Sequence, residues 1–362
     1  MAKAALQLYA LGPTKLTHPG KGENITYQVK LSKPTAPANT STYDPSKMLL
    51  RLHRPQGHVR AKLWNTLDVV QSELRWLESL RNDTALIVPI PVYASSGASA
   101  VTVPAGGGAS SCVCTLMRWV PGRYTGVTPS GRSAFLAGAV LGQLHQHSRT
   151  WLARHLTGPS LQPASDPQTF SWKKSAVSLS RLVLPNGLIR PLYDSAMLIE
   201  WPRLCLQRAQ HAGMPPDLSH VMTAALDRAD DVLASLPVDA SNFGLIHADF
   251  VPTNYLLFRG ECRPIDFSSC AFGWYMADVG IALASLTLDA HNAFLRGYRS
   301  VMTDTADDRA PALETFYALG KIAQALEYFP EQSIYATHES LEEYLKRYAA
   351  GEVASAKRSA IR

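Results

Sequence analysis

Hydrophobic and polar positions alternate over residues 24–31 (Asn-Ile-Thr-Tyr-Gln-Val-Lys-Leu), a segment rich in β-branched and aromatic residues, which predicts a strand. Residues 47–53 (Lys-Met-Leu-Leu-Arg-Leu-His) predict a second strand, and the Ser-, Thr-, Pro- and Asn-rich stretch from Ser32 to Ser46 predicts a loop between them. Over residues 58–81 the apolar positions Leu63, Leu67, Val70, Leu74 and Leu77 fall at helical spacing, so one face of a long helix is buried. Residues 87–93 and 111–120 predict two more strands, with the Gly-, Ser- and Ala-rich segment 94–110 as a hairpin between them. The result is a small β-rich lobe carrying one long helix. After the Pro121-Gly122 turn the pattern changes. Ser133 to His147 predicts a helix, Gly158 to Pro167 an exposed loop, and from about Pro191 onward the chain predicts helices. The exception is Phe243 to Phe267, with short strands at Gly244-Leu245-Ile246 and Tyr255-Leu256-Leu257-Phe258 and a turn at Gly260. No internal repeat is present.

The chain has 362 residues, 46% hydrophobic and 18% charged, enough apolar material for two or three domains or one large two-lobed unit. That excludes a mainly disordered chain and a small disulfide scaffold. The net charge of +6 permits an anionic ligand, but it is too small to indicate nucleic acid. It is unevenly spread: residues 1–62 hold ten bases against two acids, and residues 278–345 hold eleven acids against four bases. A basic front suits an anionic ligand and an acidic back a cationic one, although solvated helix faces also account for the acids. Five cysteines at scattered spacing do not form a disulfide framework. Cys112 and Cys114 share one strand face; a zinc site would need a second ligand pair, which no CxxC or HxxxH at useful spacing supplies, so packed, reduced thiols are expected. The N-terminus shows no signal-peptide pattern, and Ala271 to Leu288 is interrupted by Asp278 and too short to span a bilayer. A cytoplasmic protein without nucleic-acid or membrane partners is expected.

Chemistry concentrates in Leu245-Ile-His-Ala-Asp-Phe-Val-Pro-Thr-Asn-Tyr-Leu-Leu-Phe258, which places His247, Asp249 and Asn254 in an H-x-D-x-x-x-x-N pattern. Twelve residues beyond Asn254 stands Asp266, in Pro264-Ile-Asp-Phe267. Phosphoryl transfer needs this set of groups: a carboxylate to orient and deprotonate an acceptor hydroxyl, and a carboxamide with a second carboxylate to hold magnesium against phosphates. An isolated Asp249 also fits a turn that bonds its own backbone.

These residues resemble the aminoglycoside phosphotransferase and choline kinase-like superfamily, distant relatives of protein kinases, in a style similar to type II homoserine kinases and the bacterial stress response kinase. The resemblance runs from Gly20 to about Leu288. It implies an α/β (α+β), two-lobed protein-kinase-like fold, with a nucleotide-binding lobe at 1–117 and a catalytic and acceptor-binding lobe at 118–362. It also implies use of ATP and Mg. Asp249 would be the catalytic base, and Asn254 and Asp266 the metal ligands. His247 would brace the loop, and Asp278 would be the buried residue capping the loop backbone.

In the small lobe, Gly20-Lys-Gly22-Glu-Asn24 resembles a phosphate-binding glycine loop without its third glycine, and a plain hairpin turn is the alternative. Arg51 stands where most kinases carry a lysine, and its guanidinium can still bind phosphates bidentately. Glu73 would pair with Arg51, or be a solvated helix charge. Lys47 is a second candidate phosphate contact. Thr115-Leu-Met-Arg-Trp-Val120 resembles the hinge, whose backbone between Met117 and Trp119 would bind adenine. His145, at the end of Leu141-Gly-Gln-Leu-His145, and His147 read as structural.

The expected activity is ATP- and Mg-dependent phosphorylation of a small-molecule hydroxyl, the acceptor being an amine-bearing amino alcohol, amino acid or aminoglycoside. Asp289, Glu327 and Glu331 are candidate acceptor contacts. Trp274, Tyr275, Tyr298 and Tyr328 fit either a pocket wall or the core. A Ser/Thr protein kinase of the stress-response type is an alternative, weakened by the short gap between Asp266 and Asp278. A non-catalytic pseudokinase, kept open by Arg51, is another.

Overall fold

The computed structural model describes residues 1–18, 24–33, 42–53, 61–104, 111–126, 129–155, 162–163, 168–172, 175–303, 310–327, 329 and 338–352. A short helix α1 (Ala2–Gln7) leads into strands β1 (Thr14–Thr17), β2 (Ile25–Leu31) and β3 (Asp44–His53). Helices α2 (Ala61–Trp64) and α3 (Leu67–Asp83) follow, then β4 (Ala100–Pro104) and β5 (Ser111–Trp119). These strands make one antiparallel sheet in the order β1-β2-β3-β5-β4. Its outer face buries Leu50, Leu52, Cys112 and Cys114 under Ala5, Leu6 and Tyr9 of the N-terminal helix region. All five cysteines are free thiols.

The helical expectation for 58–81 becomes two helices, and residues 54–60 lie outside the described part. Helix α3 begins after Thr66, with Asp68 in its first turn and Arg81 in its last, charges that suit the two ends of the helix dipole. It stops where Thr84 turns extended and its hydroxyl bonds the Leu80 carbonyl at 2.6 Å.

The strand expected at 87–93 is not formed. Pro89 and Pro91 have no N–H for a ladder, and the segment touches β5 through one bridge, Pro91 to Met117. The edge strand β4 instead lies inside 94–110, the segment expected to be a hairpin.

The second lobe begins with β6 (Arg123–Tyr124) and the long helix α4 (Gly131–His155). Short strands follow: β7 (Gln162–Pro163), β8 (Gln168–Trp172), β9 (Ser175–Leu179), β10 (Arg181–Val183) and β11 (Ile189–Tyr193). A π-helical turn at Ala196–Glu200 opens into α5 (Trp201–His211), and α6 (Pro216–Ser235) comes next. Then come β12 (Phe243–Ile246), β13 (Tyr255–Phe258), β14 (Glu261–Pro264) and β15 (Ala271–Trp274). Helices α7 (Tyr275–Ala284), α8 (Leu288–Arg299), α9 (Ala310–Glu327) and α10 (His338–Ala349) complete the lobe. Strand β11 pairs in parallel with β15, and β12 pairs antiparallel with β15's other edge. The mainly helical reading from Pro191 onward therefore missed β15 and the pairing of β11.

Helices α4 and α8 cross at a pair of glycines. A Cβ on Gly138 would stand 2.0 Å from the Phe294 carbonyl oxygen, and one on Gly297 would stand 1.9 Å from that of Phe135. Neither position has room for a side chain. The close crossing brings His145 of α4 against Tyr298 of α8. One continuous core joins the lobes, running from Leu74, Trp76 and Leu77 on α3 through Leu141 and Leu144 on α4 to Phe272 and Tyr275.

Candidate active site

The loop between β12 and β13 carries Asp249 and Asn254. Phe250 anchors it, fully buried and stacked on Tyr255 with ring centroids 5.2 Å apart. Asp278, fully buried in the first turn of α7, accepts the backbone N–H groups of His247 at 2.5 Å and Ala248 at 2.6 Å. It also accepts Nε2–H of the buried His145 at 3.1 Å, whose Nδ1 takes the Tyr298 hydroxyl at 2.9 Å. His145 and His147 are thus internal struts. Trp76 Nε1–H donates to His147 Nδ1 at 3.3 Å, and His147 Nε2 bonds Asp83 at 3.2 Å, tying α3 to α4.

His247 is buried, with Nε2–H donating to the Ile265 carbonyl at 3.0 Å. Burial holds its imidazole below the ordinary range, against the pull of Asp278. It therefore braces the backbone in its neutral form. Its ring lies 4.7 Å from Phe267, which meets Trp76 at 5.5 Å, giving an aromatic stack from the loop to α3.

Asn254 closes the loop on itself. Its Nδ2 donates to the Asp249 carbonyl at 2.9 Å and to Asp249 Oδ2 at 2.7 Å. These bonds use the carboxamide nitrogen, leaving the hard Oδ1 atom for a cation. The half-exposed Asp266 sits in the left-handed region at φ 57°, and its Oδ1 accepts Arg51 Nη2 at 3.1 Å and the Ser268 hydroxyl at 2.8 Å. Burial would raise its pKa, but Arg51 and Ser268 outweigh that and hold the carboxyl below its usual value.

Arg51 lies on β3, 3% exposed, with Nη1 on Glu73 at 2.8 Å. Burial works against its charge, and Glu73 and Asp266 more than offset it, raising its pKa. Glu73 is 1% exposed, so the solvated-charge alternative for it does not hold. One guanidinium from the first lobe therefore joins α3 to the loop after β14.

Asn24 immediately precedes β2 and is partly exposed, whereas Gly20 and Gly22 lie outside the described residues. The Met117 side chain is fully buried, and Trp119 is partly exposed at the end of β5. Arg118 N–H, between them, donates to the Ile90 carbonyl at 2.9 Å. Lys47 pairs with Asp44 at 3.0 Å, with its ammonium 6.0 Å from the Trp119 ring. At Gly122 a Cβ would meet that of Leu256 at 2.6 Å, so the segment after β5 runs hard against β13. Trp274, Tyr275 and Tyr298 are buried in the core, Asp289 and Glu327 are exposed, and Tyr328 and Glu331 lie outside the described residues. Trp64 and Arg190, not singled out by any motif, bond the carbonyls just beyond Asp266.

The donor set suits magnesium. Asn254 Oδ1 and Asp266 Oδ2 are hard oxygens on segments joined by the bond from Ile265 N–H to the Asn254 carbonyl at 2.9 Å, and magnesium takes one or two protein oxygens and completes its shell with phosphates and water. Among the described residues no group of three or more His, Cys, Asp or Glu could hold a metal ion on its own.

The sequence matches the model of the phosphotransferase enzyme family over residues 38–313, and the chain belongs to that family. It is a kinase-type phosphotransferase with a protein-kinase-like fold. A microcompartment-associated aminopropanol kinase superposes with TM-score 0.67 at 22% identity, covering 99% of this chain and 97% of the other. An amicoumacin kinase gives 0.61 at 18% identity, covering 97% and 92%. An aminoglycoside phosphotransferase from Alicyclobacillus acidocaldarius gives 0.56 at 14%, covering 99% and 96%. No curated protein matches the sequence. No helix among the described residues is long and apolar enough to cross a membrane.

Proposed function

We propose that the protein transfers the γ-phosphoryl group of ATP, with magnesium, to the hydroxyl of a small amine-bearing molecule: an amino alcohol, an amino acid or an aminoglycoside. The carrying observation is the bridge from Arg51 to both Glu73 and Asp266, because it draws residues from both lobes to one point, and the bond from Ile265 N–H to the Asn254 carbonyl at 2.9 Å ties that point to the loop of Asp249 and Asn254.

Asp249 is the base: its carboxylate, held by Asn254, accepts the hydroxyl proton as the oxygen attacks phosphorus. Asn254 and Asp266 would hold magnesium, which neutralises charge on the β- and γ-phosphates when bound. Arg51 presents its charge toward the α- and β-phosphates while Glu73 keeps it in place. The adenine edge would meet the backbone at the Met117–Trp119 end of β5, and Gly20, Gly22 and Asn24 would contact the phosphates. Residues 1–117 would bind nucleotide, and 118–362 would supply the base and the acceptor site. Most of the acceleration comes from placing reactants and countering charge.

An amine on the acceptor is supported by the exposed Asp289 and Glu327 within the acidic C-terminal stretch. It is also supported by the similarity to an aminopropanol kinase. The ion pairs of Arg51 favour catalysis over the pseudokinase alternative.

The test is ATP consumption by the purified protein with homoserine, choline, ethanolamine, 1-amino-2-propanol, several aminoglycosides, a sugar and a generic protein substrate. One amine-bearing acceptor should stimulate turnover in the wild type and not in Asp249→Ala. Stimulation by the protein substrate alone would replace the small-molecule reading. ATP binding without turnover for any acceptor would favour the pseudokinase.

A further inference from the structure

Arg190 lies on β11, 1% exposed, far in sequence from every motif. Its Nε donates to the Cys270 carbonyl at 2.6 Å, Nη1 to Val69 at 3.0 Å and Nη2 to Ser268 at 2.9 Å, with Nη2 also on Cys270. All of these acceptors are backbone carbonyls, and no carboxylate is among its partners in the described residues. A buried guanidinium is expensive unless its donors are satisfied, and this one is satisfied only while two separate segments stay in register.

Those two segments are the ones that matter to Arg51. Val69 is in the first turn of α3, and its carbonyl is the α-helical acceptor for the N–H of Glu73 four residues on. Ser268 stands two residues past Asp266 and its hydroxyl bonds Asp266 Oδ1 at 2.8 Å. Arg51 thus joins the carboxylates of Glu73 and Asp266, and Arg190 joins the backbones of the two segments that carry them, four residues before Glu73 and two and four residues after Asp266. Trp64 Nε1–H adds the Ser269 carbonyl at 3.1 Å, so three consecutive carbonyls beyond Asp266 are held by side chains. Strand β11 is itself fixed to α3, with Ile189 N–H on the Ser72 hydroxyl at 3.0 Å. Arg75 also reaches the Asn186 carbonyl at 3.2 Å.

We propose that Arg190 is a positioning residue that sets the separation of Glu73 and Asp266, and through it the metal affinity of the nucleotide site. The metal half of this inference rests on the phosphotransfer reading above; the coupling of the two segments does not.

The test combines hydrogen exchange with ATP-binding calorimetry across a MgCl₂ series, on wild type, R190M, R190K and S72A. L226A, a core truncation in α6, serves as a control for general destabilisation. R190M should lose amide protection in 67–83 and 266–270 together, while 255–264 keeps its protection. The MgCl₂ concentration for half-maximal ATP binding should rise at least tenfold, with metal-free ATP affinity within twofold of wild type. R190K, able to reach one carbonyl, should fall between, and with S72A it carries the test if R190M does not fold. A metal requirement within threefold of wild type and L226A would reduce Arg190 to a structural strut and overturn the proposal. Exchange that rises in one segment without the other would overturn it equally. Failure of the phosphotransfer reading looks different: wild type would bind no ATP at any MgCl₂ concentration, and the exchange arm alone would then decide the coupling.

Discussion

Asp278 accepts the N–H of Ala248 at 2.6 Å, and Ala248 holds a φ of 63°, a conformation that alanine rarely adopts. The buried carboxylate and the strained residue explain each other. The left-handed turn aims two successive N–H groups at one side chain, and that side chain keeps the turn from relaxing. Asp278→Asn puts an NH₂ group or a single acceptor where two donors converge. It should lower stability by about 2–4 kcal/mol, measured by urea denaturation. Ala248→Gly removes the strained Cβ and should change stability by less than about 1 kcal/mol, in the stabilising direction. A strongly destabilising glycine would show that the Ala248 methyl, not the backbone, is what the fold uses.

Asp249→Ala should reduce kcat by about 10²–10⁴ while leaving Mg·ATP binding within threefold of wild type. The measurement pairs steady-state turnover on the stimulating acceptor with calorimetry. Asn254→Ala removes both the bond that orients Asp249 and a hard oxygen, so it should lower kcat and raise the magnesium requirement together.

Gly122→Ala drives a methyl group into Leu256 Cβ at 2.6 Å and toward the Leu257 carbonyl at 3.3 Å, neither of which is the end of a flexible chain. Overpacking of this kind costs about 1–3 kcal/mol. The displaced segment borders the proposed adenine contact, so KM for ATP should rise more than kcat falls. An unchanged KM would move the adenine site away from this end of β5.

His53 gives the pH dependence its clearest sign. It is 2% exposed and bonded to Thr115, and burial, aided by Arg51, lowers its pKa to about 3. The unfolded chain takes up a proton near the ordinary imidazole pKa, and the folded chain does not until about pH 3. Stability is therefore fully present above the unfolded pKa and falls with pH below it, by about 1.4 kcal/mol per pH unit for this group. His53→Gln should flatten thermal stability against pH between 6 and 4 relative to wild type, about as much as that slope implies.

The parts of the site that were legible in the sequence are those whose function resides in side chains at short spacing. Asp249, Asn254 and Asp266 fall within 18 consecutive positions, and the chemistry of phosphoryl transfer explains why an acid, an amide and an acid belong together. Glu73 followed from its place on the expected long helix together with the kinase resemblance, which paired it with Arg51. Arg190 was illegible because its partners are carbonyls, which every residue carries. The misreading at 87–93 has a plain cause: Ile-Val-Pro-Ile-Pro-Val alternates like a strand, yet its prolines break the ladder, while Ala-Val-Thr-Val-Pro at 100–104 pairs fully from within a stretch whose glycines and serines suggest a loop. The parallel contact of β11 with β15 joins residues about 80 apart, a separation that periodicity cannot detect.

Helix α3 is encoded before residue 117, yet Trp76 meets Phe267, its carbonyl at Val69 meets Arg190, and its C-terminal turn meets His147. The first third of the gene therefore does not encode a portable module. A fragment ending at 117 would display Trp76, Leu74 and Leu77 to water, and a chimaera exchanging that third between relatives would inherit a helix shaped for another partner. Successful recombination in this family should carry α3, the β10–β11 hairpin and α4 as one heritable block.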